Sequence, residues 1–215
     1  MKTEYYHNHL PHFHHAGATF FVTWMLFDAV PKPLLKKLKE ERKATIQKIE
    51  RENPPDLKYQ IYMAERHYFY EIEELLHKMD NQSNFLKMPE VAAILQKKLH
   101  EFDDKFYRLI TYTIMSNHVH AIFDFSIQLP TDGRSVNPAE YVSLSKAMNL
   151  ILGASSFEIN RLLGCSGSFW MGGYMDRYIR NQKHLRSAIE YTLLNPVKAG
   201  LVQEWEDHPF TWLHP

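Results

Sequence analysis

Cysteine is almost missing from this sequence: Cys165 is the single one in 215 residues. That excludes an internal disulfide framework and a cysteine-based zinc finger, and it suits a reducing cytoplasm. Net charge is missing too, with 25 Lys and Arg against 25 Asp and Glu, so nothing in the total advertises a polyanion as partner. A membrane-length apolar run is also lacking. The charge-free stretch Leu109–Phe123 is too short to span a bilayer and is interrupted by Asn117, His118 and His120. Met1 to His15 is polar and rich in His and Tyr, which is not the pattern of a signal peptide. No internal repeat or low-complexity tract is present. What remains is a chain with 45% apolar residues, enough to bury a substantial core in one domain spanning 1–215.

Ala18–Trp24 is β-branched and aromatic and follows Gly17, which predicts a strand. From Pro31 the character changes to charge-rich helix formers. Lys36–Glu52 and Tyr59–Lys78, separated by Pro54-Pro55, are expected to form a helical hairpin inserted over 31–84. Pro89 opens another helix, with Val91, Ile94, Leu95, Leu99 and Phe102 on one face. Phe106–Met115 and His118–Phe125 form a hairpin around Ser116-Asn117, where Asn suits the positive φ that two-residue turns favour. Asn137-Pro138 with Glu140 makes a helix start, and that helix is expected to reach Leu163. Tyr174–Arg180 is a short strand, and Asn181 caps a last helix stopped at Asn195 by Pro196. Strands and helices in this order predict an α+β fold, an antiparallel β-sheet with helices packed on one side.

His118 and His120 stand two apart on a strand, so both face the same side, with Cα atoms roughly 6.7 Å apart. Two imidazoles can then converge on one metal ion while Val119 enters the core. By spacing alone two histidines on a sheet face are the readier reading, because 13 His in 215 residues give about 0.8 such pairs by chance. In the last helix Leu185, Ala188, Ile189, Thr192 and Leu193 form the apolar stripe. Tyr191 falls on its flank, and Asn195 sits one turn further on, where an amide oxygen can complete a metal site. A boundary tyrosine and a helix-ending Asn are the alternative. Between Arg161 and Gly200 the bases Arg161, Arg177, Arg180, Lys183, Arg186 and Lys198 outnumber Asp176 and Glu190, six against two, a local surplus of four. Such a face can hold a few phosphates but not a long duplex. The histidines His7, His9, His12, His14 and His15 follow no strand or helix period and are expected to form an arm rather than a second metal site.

The segments ITYTIMSNHVHAIFDF and FWMGGYMDRYIRNQKHLRSAIEYTLLNPVKAGLV resemble the REP-associated tyrosine transposases, a branch of the single-tyrosine HUH transposase family. LPHFHHAGATFFVTWMLFDAVP resembles the opening of one subgroup, so the likeness covers most of the chain. Its specificity lies in the joint order of a His-x-His strand, a Trp-containing loop and a Tyr four residues before Asn-Pro-Val-Lys-Ala-Gly. The resemblance implies a ferredoxin-like HUH fold, metal ligation by His118, His120 and Asn195, and Tyr191 as nucleophile. Tyr174 and Tyr178 are the competing tyrosines. The implied partner is single-stranded or hairpin DNA, held by Trp170, Arg177, Arg180, Lys183, Arg186 and Lys198. The implied reaction is strand cleavage and joining through a 5′-phosphotyrosine, with magnesium or manganese as the metal; two imidazoles favour manganese. The histidine-rich N-terminal end would help contact the DNA.

There are departures from the pattern. Met-Ser-Asn replaces the usual Met-Pro-Asn before the first histidine, and Met171-Gly172 stands where relatives often place Gln and Arg. Ser143–Arg161 carries only Lys146 and Arg161 as bases. Two other functions remain open on the residues: a protein of the same fold that binds repeat hairpins without cutting, and a small-molecule hydrolase that uses the histidine pair and treats Tyr191 as structural. Oligomeric state is open between monomer and homodimer.

Overall fold

The computed structural model describes residues 4–7, 11–79, 84–132 and 136–215, the side chains of 4–7 and 11–14 excepted. Two units make up the chain, Asp28–Ser83 and, around it in sequence, Met1–Phe27 with Asn84–Pro215. The first is a pair of helices, α1 (Lys32–Glu52) and α2 (Leu57–Lys78). Proline in its first turn starts α1, and Asn53 ends it in the left-handed region at φ 42° with its N–H on the Ile49 carbonyl. The two helices are tied by Arg42, whose Nε lies 3.0 Å from a Glu65 carboxylate oxygen and whose guanidinium covers the Tyr68 ring at 5.2 Å. Burial raises the Glu65 pKa, and the Arg42 charge opposes that shift.

The described residues of the second unit form seven strands. A backbone hairpin joins β1 (Glu4–His7) to β2 (Pro11–His14). The remaining strands are β3 (Thr19–Met25), β4 (Arg108–Ile114), β5 (His118–Asp124), β6 (Met175–Tyr178) and β7 (Thr211–Leu213). They form one antiparallel sheet in the order β6-β3-β5-β4-β7. Gly17 sets the entry to β3 at φ 77°, and an added Cβ there would stand 2.5 Å from a Leu129 methyl.

Helices cover both faces of this sheet, where the sequence predicted one. Strand alternation sends Trp24, Val119, Ala121 and Tyr112 to one face and Phe21, Thr23, His118 and His120 to the other. The first face carries α3 (Pro89–Glu101), through Gln96 on the Tyr112 hydroxyl at 3.2 Å. It also carries α4 (Leu144–Leu163), through Ser155 and Trp170, whose ring meets Trp24 edge-on at 6.3 Å. The histidine face carries α5 (Gln182–Lys198), through Tyr191 against Phe21.

Local details depart from expectation for physical reasons. Asn137 does bond Glu140 and the Ala139 N–H, but the result is an isolated turn. The Gln128 amide pairs with both backbone groups of Val142, which holds the chain extended, and α4 starts only after Ser143 caps it. Pro196 does not stop α5. The helix runs on to Lys198 and closes on Gly200, whose φ is 69°. Asn117 has no positive φ; Asn53 and Asp104 are the non-glycine residues that do, among those described. Strand β6 is shorter than Tyr174–Arg180, and β1, β2 and β7 were not expected. No described helix is long and apolar enough to cross a membrane.

Candidate active site

Central strand β5 places His118 and His120 on the α5 face, 1% and 0% exposed. Their rings meet edge to face with centroids 4.8 Å apart, and a ring nitrogen of one lies within 4.8 Å of a ring nitrogen of the other. Each Nδ1 is engaged by a polar neighbour. His118 Nδ1 lies 2.7 Å from the Asn117 side-chain oxygen, and His120 Nδ1 lies 2.8 Å from the Thr23 hydroxyl. Thr23 is the in-register partner of His120 on β3, and the carbonyl of Asn117 accepts from the Leu26 N–H at 2.9 Å. Phe21, two residues before Thr23, stacks on the His120 ring at 5.5 Å. The ligand atom that each imidazole offers is therefore Nε2, the usual arrangement when a second polar group holds Nδ1.

Helix α5 brings Tyr191 to the same place. Its half-buried ring stands edge-on to His120 at 5.5 Å and to Phe21 at 5.8 Å, and Lys198 Nζ lies 5.0 Å from the ring centre. Asn195, one turn along, is fully buried with Ala188, Thr192 and Leu193 on the helix side that meets the sheet. The apolar stripe of the sequence is thus widened to include the amide.

The competing tyrosines lie elsewhere. Tyr174 bonds Ser145 of α4, so it is held against the opposite face; burial first, and Asp176 second, push its phenol well above the ordinary value. Tyr178 pairs in register with Phe20 and tilts against that ring at 6.2 Å, again on the opposite face. Of the three, Tyr191 alone faces the histidines.

The bases expected to hold DNA divide in two ways. Arg177 pairs with Phe21 and so projects, partly exposed, from the histidine face of edge strand β6. Arg180, Lys183, Arg186 and Lys198 are exposed at the start and end of α5. Trp170 does not belong with them. It is 6% exposed, bridges Leu26, donates its indole N–H to Ser155 at 3.0 Å and packs edge-on against Phe169 at 4.8 Å. A ring so enclosed fills the core and offers no face to a base. Of the histidine-rich arm, the side chains of His7, His9, His12 and His14 lie outside the described residues; His15 is exposed, with its ring 6.1 Å from Tyr178.

Thr23, Asn117 and the nearness of Lys198 to Tyr191 were not anticipated. The first is an ordinary strand residue in sequence, and only the β3–β5 register puts it opposite His120. Asn117 in sequence carries only the signal of a turn former.

The central strand of the antiparallel sheet thus carries a His-x-His pair, faced by a helix-borne tyrosine with an amide one turn on. No family model matches the chain. The chain is 25% identical over 109 residues to a Haemophilus influenzae protein assigned as a REP-associated tyrosine transposase, covering 50% of this chain. It spans 60% of that relative's length. A solved structure of a REP-associated tyrosine transposase bound to a REP hairpin matches with a TM-score of 0.53 at 16% identity, covering 94% of this chain and 80% of that one. The chain is therefore similar to the REP-associated tyrosine transposases in sequence over half its length and shares their fold over nearly all of it.

Proposed function

We propose that this chain is a tyrosine DNA strand-transfer enzyme acting on hairpin or single-stranded DNA. The observation that carries the reading is the position of Tyr191: of Tyr174, Tyr178 and Tyr191 it alone lies on the histidine face, edge-on to His120. The relative assigned as a transposase and the solved neighbour bound to a REP hairpin support the reaction class and the form of the DNA.

The Tyr191 phenol loses its proton to solvent, and its oxygen attacks phosphorus. The bond from phosphorus to the 3′ oxygen breaks, and that oxygen leaves as a hydroxyl by taking up a proton. A 5′-phosphotyrosine conserves the phosphodiester, so attack by another 3′-hydroxyl reverses the exchange and joins strands without an external energy source. Lys198 places a positive charge beside the ring that must become a phenolate. Arg177, on the same face, and the exposed Arg180, Lys183 and Arg186 hold flanking phosphates. Residues His118, His120 and Asn195 would hold a divalent cation, magnesium or manganese, which when bound stabilises charge on the phosphate oxygens. Two imidazoles presented through Nε2 fit that role. The site would work in the cytoplasm, where the exposed thiol of Cys165 stays reduced.

Incubating a labelled hairpin oligonucleotide with the protein and manganese should give a covalent protein–DNA band in a denaturing gel. Tyr191→Phe should lose the band yet bind the hairpin within a few-fold of wild type. A band that survives in this variant and vanishes in Tyr178→Phe would move the nucleophile; hairpin binding with no band under any metal would favour a non-cleaving binder.

A further inference from the structure

The two nitrogen atoms that face away from a metal are held by groups nothing so far assigns to the site. Asn117 is 1% exposed and Thr23 is 0% exposed, so neither bond competes with bulk water. We infer that Thr23 and Asn117 are positioning residues for the metal, each fixing its histidine as the Nδ1–H tautomer so that both Nε2 lone pairs point into one site. The inference rests on the proposed metal role of His118 and His120.

An amide oxygen can only accept, so the contact between Asn117 Oδ1 and His118 Nδ1 at 2.7 Å puts the proton on Nδ1. A threonine hydroxyl can donate or accept. At 2.8 Å from His120 Nδ1, accepting is the role that leaves Nε2 deprotonated and able to bind a cation. The neutral imidazole has one hydrogen to place, and a wrong placement removes a ligand without moving an atom of the ring.

Both supports derive from the same strand. Thr23 stands opposite His120 in the β3–β5 ladder, while Leu26, just past the end of β3, donates to the Asn117 carbonyl and sets the turn from which that side chain reaches back. The β3–β5 pairing therefore orients both rings at once. Phe21 adds a flat wall, stacked at 15° to the His120 plane, that stops the ring from turning about its own axis. This also gives the Ser116-Asn117 turn a reason for its asparagine, since the residue does not use the backbone freedom for which asparagine is common in tight turns.

The test is manganese affinity by calorimetry on the full chain without DNA, in wild type, Thr23→Val, Thr23→Ser, Asn117→Leu, Asn117→Asp and His118→Ala, each with a melting curve. Loss of a group that orients a metal-bound histidine weakens metal binding by roughly 10–100-fold. Thr23→Val and Asn117→Leu should each fall in that range, and Thr23→Ser and Asn117→Asp, which keep an acceptor, should recover most of it. In the metal-free protein, imidazole nitrogen NMR should report the Nδ1–H form at both rings. Wild-type affinity in folded Thr23→Val, or an Nε2–H signal from His120, overturns the inference while His118→Ala still abolishes binding. Should His118→Ala bind manganese as well as wild type, the metal reading itself fails. Any variant that does not fold is decided by its serine or aspartate counterpart together with the tautomer measured in the wild type.

Discussion

Trp170 shows how one side chain can carry two opposite meanings in a sequence. Beside Arg177 and Arg180 it suggests a platform for a nucleotide base, yet its indole is enclosed by Trp24, Phe169 and Leu26 and its N–H is spent on Ser155. Trp170→Ala should therefore destabilise the fold by about 3–5 kcal/mol, the range for truncating a buried aromatic. Hairpin affinity per folded molecule should stay unchanged, which anisotropy measured well below the melting point can check. A large loss of affinity without a change in melting would restore Trp170 to the DNA surface. The same reasoning at residue scale separates the tyrosines. The sequence could rank Tyr191 first only by its place before Asn-Pro-Val-Lys-Ala-Gly, whereas strand parity excludes Tyr178 and the bond to Ser145 excludes Tyr174.

At the scale of elements, what could be read was whatever local pattern decides. Strand β3, the β4–β5 hairpin, α3 from Pro89 and the flank position of Tyr191 on α5 all follow from side-chain periodicity within one segment. Features set by distant partners could not be read. The start of α4 is governed by the Gln128 side chain, which overrides a good capping sequence at Asn137. Strand β7 has three residues and no periodicity; it exists because β4 offers an edge, with Thr211 opposite Thr113 and their hydroxyls 2.7 Å apart. His208 secures that strand through Thr211 at 2.8 Å, and burial lowers the imidazole's pKa. A folded-state value below the unfolded one, about 6.5, means that the neutral form stabilises the fold. That stability is present above about pH 6.5 and is lost as pH falls through the lower folded value. The melting temperature should drop on acidification below that point, and His208→Gln should show a shallower drop. A slope identical to wild type would mean that His208 takes no part. Burial lowers His184 in the same direction, with Arg177 and Arg180 adding to it, so part of the slope should survive the substitution.

At the scale of the molecule, overall neutrality conceals a local surplus of bases in the sequence. The 25 bases and 25 acids cancel over the whole sequence, but over residues 177–198 five bases stand against the single acid Glu190, and these five set an upper bound on how many phosphates the proposed site can neutralise. Arg177, Arg180, Lys183, Arg186 and Lys198 make five, which for single-stranded DNA gives a slope of log affinity against log salt no steeper than about −0.7 × 5, or −3.5. Titrations of hairpin and blunt duplex over a range of salt measure it directly. The hairpin should bind at least tenfold tighter than a duplex of equal length, since the site must reach an unpaired backbone and has few charges to spend on a paired one. A much steeper slope would place the principal DNA surface outside these five residues.

Thr23 and His120 are separated by 97 positions in the chain, and Tyr191 comes later still. Contacts this distant form late in folding, because long loops must close before any gain is felt. A ribosome that has released only the strands through β5 has made both histidines but has not yet threaded out the helix that carries the phenol. The two imidazoles of the proposed metal site therefore precede both Asn195 and the Tyr191 phenol during synthesis, and on the proposed reading a nascent chain is unable to cut DNA until α5 has docked. Manganese uptake and adduct formation, followed in parallel on stalled chains of increasing length, would appear as two separate clocks.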